Sequence, residues 1–140
     1  MKTALAIAVL AVGVACAPAP DTDTPPAASG AGALTGDQQQ DWAAIERVED
    51  AARQLAVATG CNTADDCRAA PVGNRACGGP RYYLVYCASS TDSAALSTAL
   101  DEIVRAEDAY NQRYEVVSTC EFRMPPEIAF SGGECRPVSN

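Results

Sequence analysis

Apolar positions recur every three or four residues in two stretches of this chain. Over 37–59, Trp42, Ile45, Val48, Ala52 and Leu55 form a single stripe, which predicts an amphipathic helix. Thr35 or Asp37 supplies its N-cap, Glu49 and Arg53 stand four residues apart as an ion pair, and Gly60 sits where a C-cap glycine belongs. Over 91–116 the stripe is Leu96, Leu100, Ile103, Tyr110, Tyr114 and Val117, which predicts a second helix with Ser90 or Thr91 as N-cap. Glu107 interrupts that stripe. A carboxylate on an apolar face either reaches out to the edge or meets an arginine.

Between the helices the pattern turns to strand. Residues 81–87, "RYYLVYC", are aromatic and β-branched, Gly78-Gly79-Pro80 before them is a turn, and 67–72 is a short partner strand. After the second helix, 118–124 and 134–138 predict two more strands, with Pro125-Pro126 and Gly132-Gly133 in the loop between them. The order helix, strands, helix, strands predicts an α+β domain in which two helices pack on a small antiparallel sheet.

The first sixteen residues, "MKTALAIAVLAVGVAC", follow a different pattern: one basic residue, an apolar run too short to span a bilayer, and a small-residue exit. That combination predicts a signal peptide over 1–15. Residues 17–36, "APAPDTDTPPAASGAGALTG", cannot bury enough apolar surface to offset the entropy of ordering, so 16–36 is expected to be a disordered tether and 37–140 the folded unit. The exit Gly13-Val14-Ala15-Cys16 resembles the lipobox of bacterial lipoproteins, departing from it at Gly13, where a leucine is usual. The resemblance implies cleavage before Cys16 and a diacylglyceryl group on its sulfur. With Ala17 rather than aspartate next, it favours an outer-membrane lipoprotein of the cell envelope, facing the periplasm or the surface. The membrane is then a partner through the acyl chains at Cys16.

Cysteine arithmetic supports this reading. The chain has seven cysteines. With Cys16 consumed by lipid, Cys61, Cys67, Cys77, Cys87, Cys120 and Cys135 remain, an even set in an exported chain, and they predict three disulfides. The expected pairing closes Cys61–Cys67 as a small loop and uses Cys77, Cys87, Cys120 and Cys135 to tie the strands together. The spacings lack the two-residue steps of a thiolate metal site. The stretch from Cys61 to Cys135, with a cysteine pair before "CGGP" and an aromatic strand, resembles uncharacterised secreted bacterial proteins. That resemblance implies a shared small disulfide-bonded fold and transfers no functional residue.

Charge and composition narrow the chemistry. The formal net charge is −8, there is no histidine, and Lys2 is the sole lysine. Nucleic acid is therefore not an expected partner, and histidine-based triads, Cys–His dyads and most zinc and copper sites are excluded. Asp65-Asp66 with Asn62 lacks the alternation and closing glutamate of a calcium loop and reads as a solvated turn. Ser131 has no general base, the carboxylates are scattered, and neither a catalytic residue nor a cofactor is expected. The best binding candidate is the loop 123–130, with Met124, Pro125, Pro126, Ile128 and Phe130, flanked by Cys120 and Cys135. Arg81 and Tyr82 on the aromatic strand are further candidates. Alternatively, Ile128 and Phe130 pack beneath the sheet. The expected function is a non-catalytic envelope module that binds an envelope protein or serves a structural role, the alternative being a protease inhibitor that presents 123–130.

Overall fold

The computed structural model describes residues 33–138. The signal peptide, Cys16 and the tether up to residue 32 lie outside the described residues. The architecture is α+β: α1 (Gln38–Leu55), β1 (Cys67–Val72), β2 (Tyr82–Cys87), α2 (Ser93–Arg113), β3 (Ile128–Ser131) and β4 (Glu134–Pro137). The strands form two separate antiparallel hairpins, β1–β2 and β3–β4, in place of the single sheet expected.

Both helices begin on an aspartate. Asp37 accepts from the amides of Gln39 and Gln40, each at 3.0 Å. Asp92 accepts from Ala94 at 3.1 Å and Ala95 at 3.0 Å, displacing the predicted Ser90 or Thr91 cap. Thr91 is instead buried, its hydroxyl bonded to the backbone of Val57. The same contact explains why α1 stops at Leu55, short of Gly60. The Val57 carbonyl accepts from the Cys87 amide and the Ala58 carbonyl from the Cys135 amide, so tertiary pairing pulls residues 57–60 into an extended path. α2 ends at Arg113, before the predicted 116, because Glu115 adopts φ +47° and turns the chain out of the helix.

The β1–β2 register places Cys67 opposite Cys87, Ala70 opposite Leu84 and Val72 opposite Tyr82. Side chains alternate across a strand, so Ala70, Val72, Tyr82, Leu84 and Tyr86 share one face. That face packs on Ile45, Val48 and Ala52 of α1 and on Leu96, Leu100, Ile103 and Tyr110 of α2. The opposite face carries Cys67, Val85 and Cys87, which pack with Cys61, Cys135, Ile128 and Phe130. The molecule is thus three layers: the helix pair, the β1–β2 hairpin, and the β3–β4 hairpin.

Three disulfides join these layers: Cys61–Cys87, Cys67–Cys135 and Cys77–Cys120. The predicted Cys61–Cys67 loop is corrected. Residues between these two cysteines form a 3-10 turn, Ala64–Asp66, in which Asp66 accepts from the amides of Asn62 and Thr63 at 3.1 Å. Cys67 then enters β1 on the face that meets Cys135. The predicted strand at 118–124 is also corrected: those residues pair with no neighbouring strand, and β3 forms further along, from residues assigned to the loop.

The hairpin connection 73–81 is docked on α2. Gly73 adopts φ +72°, and a Cβ there would lie 2.4 Å from Glu107 Oε2. Gly73→Ala combines a disfavoured backbone with a clash against a buried carboxylate, so it should cost about 3 kcal/mol or more. Urea denaturation at neutral pH measures this; a loss within about 0.5 kcal/mol, as at an ordinary surface position, would contradict the docking.

Candidate functional site

Glu107, the residue that breaks the α2 stripe, is buried and meets Arg81. Arg81 enters β2 and reaches both helices: its Nε donates to Glu107 Oε1 at 2.7 Å and its Nη2 to Glu49 Oε2 of α1. The side chains of Glu49 and Glu107 are only 5% and 2% exposed. Glu49 Oε1 also accepts from Arg53 Nη2 and, at 2.6 Å, from the Tyr82 hydroxyl. Glu107 Oε2 accepts from the Asn74 amide at 2.6 Å. Asp108 and Asn111 hold the rest of Asn74. The Arg81 guanidinium lies 5.4 Å from the Trp42 ring centre, an additional cation–π contact.

The two acids respond differently to the same arginine. Burial pushes the Glu49 carboxyl up, but hydrogen bonds from Tyr82 and Arg81 and the charges of Arg81 and Arg53 outweigh it, so it is held below the usual range. Burial is the larger effect at Glu107, which has one arginine and one amide as donors, and its carboxyl is pushed up. All four carboxylate oxygens are engaged by donors from the chain. A groove of about 320 Å³ opens beside the cluster, lined by Trp42, Glu46, Glu49, Asp50, Arg53 and Arg81. With its polar groups paired inward, the cluster acts as a clamp between layers.

Sequence candidates Arg81 and Tyr82 are both half-buried and bonded within this clamp, with Arg81 also in the lining of the groove. Ile128 and Phe130 are half-buried in the cysteine-lined layer, the packed alternative to their presentation on the 123–130 loop. Met124 is 69% exposed, and Pro125 beside it is exposed too. The exposed apolar surface begins earlier than predicted: Val117, expected on the helix stripe, is 92% exposed, and Phe122 is 87% exposed.

What holds this segment, 117–126, is a set of braces that sequence reasoning missed. Cys120 is bonded to Cys77, and the Cys77 amide donates to Ser118 Oγ at 3.0 Å. Arg75 donates to the carbonyls of Thr119, at 3.3 Å, and Glu121. The Tyr83 hydroxyl donates to the Arg123 carbonyl at 3.1 Å, and the Val138 amide to the Glu127 carbonyl at 2.8 Å. Carbonyls of alternate residues, Thr119, Glu121 and Arg123, are thus captured, while the backbone N–H groups of 117–124 make no hydrogen bond among the described residues. A cleft of about 370 Å³ lies between this segment and the Gly78-Gly79-Pro80 turn, with Arg75 and Tyr83 in its lining. Cys120 and the later Cys135 do hold the ends of the loop region, but by bonds to Cys77 and Cys67.

Comparison of the chain with family models, with curated proteins and with solved structures finds no match. Among the described residues no helix is long and apolar enough to cross a membrane.

A third buried carboxylate, Asp41, ties the chain before α1 to the folded unit. Asp41 accepts from the Thr35 amide and hydroxyl, both at 2.8 Å, from the Gly36 amide at 3.3 Å, and from the Tyr114 hydroxyl at 2.5 Å. Thr35 and Gly36, assigned to the tether, are thus part of the fold. Burial acts to raise the Asp41 carboxyl, but the Tyr114 and Thr35 hydrogen bonds prevail and hold it down to about 2; burial and Asp41 together push Tyr114 up to about 12. A depressed carboxylate contributes stability that is present above its unfolded value of 3.8 and lost as pH falls towards 2. The stability advantage of the wild type over Asp41→Asn should therefore shrink as pH falls through that window. A difference that stays constant in denaturant titrations at each pH would contradict it.

Proposed function

We propose that this chain is a non-catalytic lipoprotein of the bacterial cell envelope, anchored in the outer membrane through Cys16, whose domain binds a protein partner through residues 117–126. The observation that carries the reading is the braced segment: Val117 and Phe122 stand almost fully in solvent, and Met124 mostly so, on a backbone whose carbonyls are tied to Arg75 and Tyr83. A pre-ordered backbone lowers the entropy lost on docking, and exposed aromatic and thioether side chains are suited to act as anchors. Unpaired amides along an exposed segment offer main-chain donors to a partner strand. The lipobox-like exit and the six paired cysteines support the envelope location.

A second reading, protease inhibition, is favoured by one feature. The segment is exposed and disulfide-braced, as a chain held out for a protease to grip would be. Its contact residues would centre on Phe122 to Pro126, upstream of Ile128 and Phe130.

The test is capture from envelope extract by the full mature chain, compared with Phe122→Asp and Phe122→Asp/Met124→Asp. Removing such anchors typically costs ~2 kcal/mol each, so retention of the specific partner should fall more than about tenfold while stability changes by less than about 0.5 kcal/mol. Equal capture by all three proteins would overturn the surface assignment. Inhibition of an envelope protease by the wild type alone would select the second reading. Mass spectrometry of the mature N-terminus tests the anchor: a diacylglyceryl-modified Cys16 is expected, and an unmodified or absent Cys16 would refute it.

A further inference from the structure

We propose that Cys61, Cys67, Cys87 and Cys135 form a thiol-exchange site, at which a small thiolate converts the pairs Cys61–Cys87 and Cys67–Cys135 into Cys61–Cys135 and Cys67–Cys87. Two independent features of the fold carry this. First, the Sγ atoms of Cys61 and Cys135, which are not bonded to each other, lie 3.1 Å apart, and those of Cys61, Cys67 and Cys135 all fall within 4.8 Å of one another. Second, Cys67 and Cys87 are direct partners in the β1–β2 register. The Ala88 amide donates to the Asp66 carbonyl at 2.9 Å, while the Cys87 amide donates away from β1, to Val57, at 2.7 Å. Cys67 and Cys87 therefore oppose each other at a non-hydrogen-bonded position, where Cα atoms approach to about 4.5 Å, within the ~4.4–6.8 Å that a disulfide spans. A rotation about χ1 brings their sulfurs together.

The exchange balances without an oxidant or reductant. Of the four cysteines, Cys67 is the one that is not fully buried, so an incoming thiolate attacks Cys67 Sγ. The Cys67–Cys135 bond breaks, its electron pair leaves on Cys135, and a mixed disulfide forms at Cys67. The Cys135 thiolate attacks the neighbouring Cys61 Sγ, forming Cys61–Cys135 and expelling the Cys87 thiolate. Cys87 attacks the mixed disulfide at Cys67, forming Cys67–Cys87 and returning the original thiolate. The thiol is a catalyst, and the number of disulfides is unchanged.

The two isomers constrain the layers differently. In the observed pairing, one bond ties β4 to β1 and the other ties Cys61 to β2, so both staple the C-terminal layer to the β1–β2 hairpin. In the exchanged pairing, Cys67–Cys87 lies within a hairpin already paired by its ladder. Cys61–Cys135 lies where the Cys61 amide already bonds Gly133 and the Cys135 amide bonds Ala58. The C-terminal hairpin then rests on β1–β2 by packing alone, and the base of the 117–126 segment loses one covalent brace. The chemistry does not depend on what that segment binds.

The experiment uses the oxidised full mature chain, incubated at mildly alkaline pH with substoichiometric reduced glutathione, acid-quenched and mapped by mass spectrometry without reduction. Cys61 and Cys67 share one tryptic peptide, so an additional cleavage before Asp65 is needed to tell the isomers apart. Cys61–Cys135 and Cys67–Cys87 should appear together in equal amounts with Cys77–Cys120 intact. Cys67→Ser, which leaves Cys135 unpaired, should yield Cys61–Cys135 with no added thiol. Persistence of the original pairs alone, net reduction without new pairs, or scrambling that includes Cys77 and Cys120 would each overturn the proposal.

Discussion

The Arg81 side chain ties the two helices to the start of the β1–β2 hairpin's second strand. It stands immediately before β2, bonds Glu49 on α1 and Glu107 on α2, and lies against Trp42. Glu107 has no other cation and Glu49 shares Arg81 with Arg53, so without Arg81 one buried carboxylate would be left unpaired, at a cost of several kcal/mol. The apolar stripes bring the helices and hairpin together non-specifically. The ion cluster selects one alignment, in which Glu107 sits beneath Gly73 and Asn74 and the connection 73–81 is fixed. That connection carries Arg75 and Cys77, which with Tyr83 brace the exposed segment. The binding surface proposed at 117–126 is therefore built, at one remove, on a buried arginine.

The second layer solves a different problem. The outer face of β1–β2 is too small to bury a core of its own, and β3–β4 covers it mainly with Ile128, Phe130 and cysteine sulfur. Disulfides substitute there for apolar area, as a domain with so small a second core requires. The same economy concentrates four cysteines at one point, which gives the exchange site its geometry.

The helices, the aromatic strand and the α+β class were legible because stripe and alternation are local patterns. Glu107 announced itself as a break in a stripe, and Arg81 was available to meet it. The pairing of cysteines was not legible, since it follows from the β1–β2 register and from which face Cys67 takes in it. Helix ends were misread where a distant backbone competes: Thr91 leaves its capping role for Val57, and residues 57–60 leave α1 for Cys87 and Cys135. Residues 118–124 have strand-like composition, yet their carbonyls go to Arg75 and Tyr83 and no ladder forms among the described residues. Nothing local marks Arg75 as a brace, because its acceptors are carbonyls more than forty positions away.

The most direct test of Arg81 as the organising charge is a double-mutant cycle between Arg81→Met and Glu107→Gln, read by urea denaturation at neutral pH. Each change alone should destabilise, Arg81→Met by about 3 kcal/mol or more because it leaves Glu107 buried without a cation and takes one of its two arginines from Glu49. In the Arg81→Met background, Glu107→Gln should instead restore stability, giving a coupling of at least about 1 kcal/mol. Simple additivity, with the double variant as unstable as the sum of the two, would show that Arg81 and Glu107 do not depend on one another and would contradict the role assigned to them.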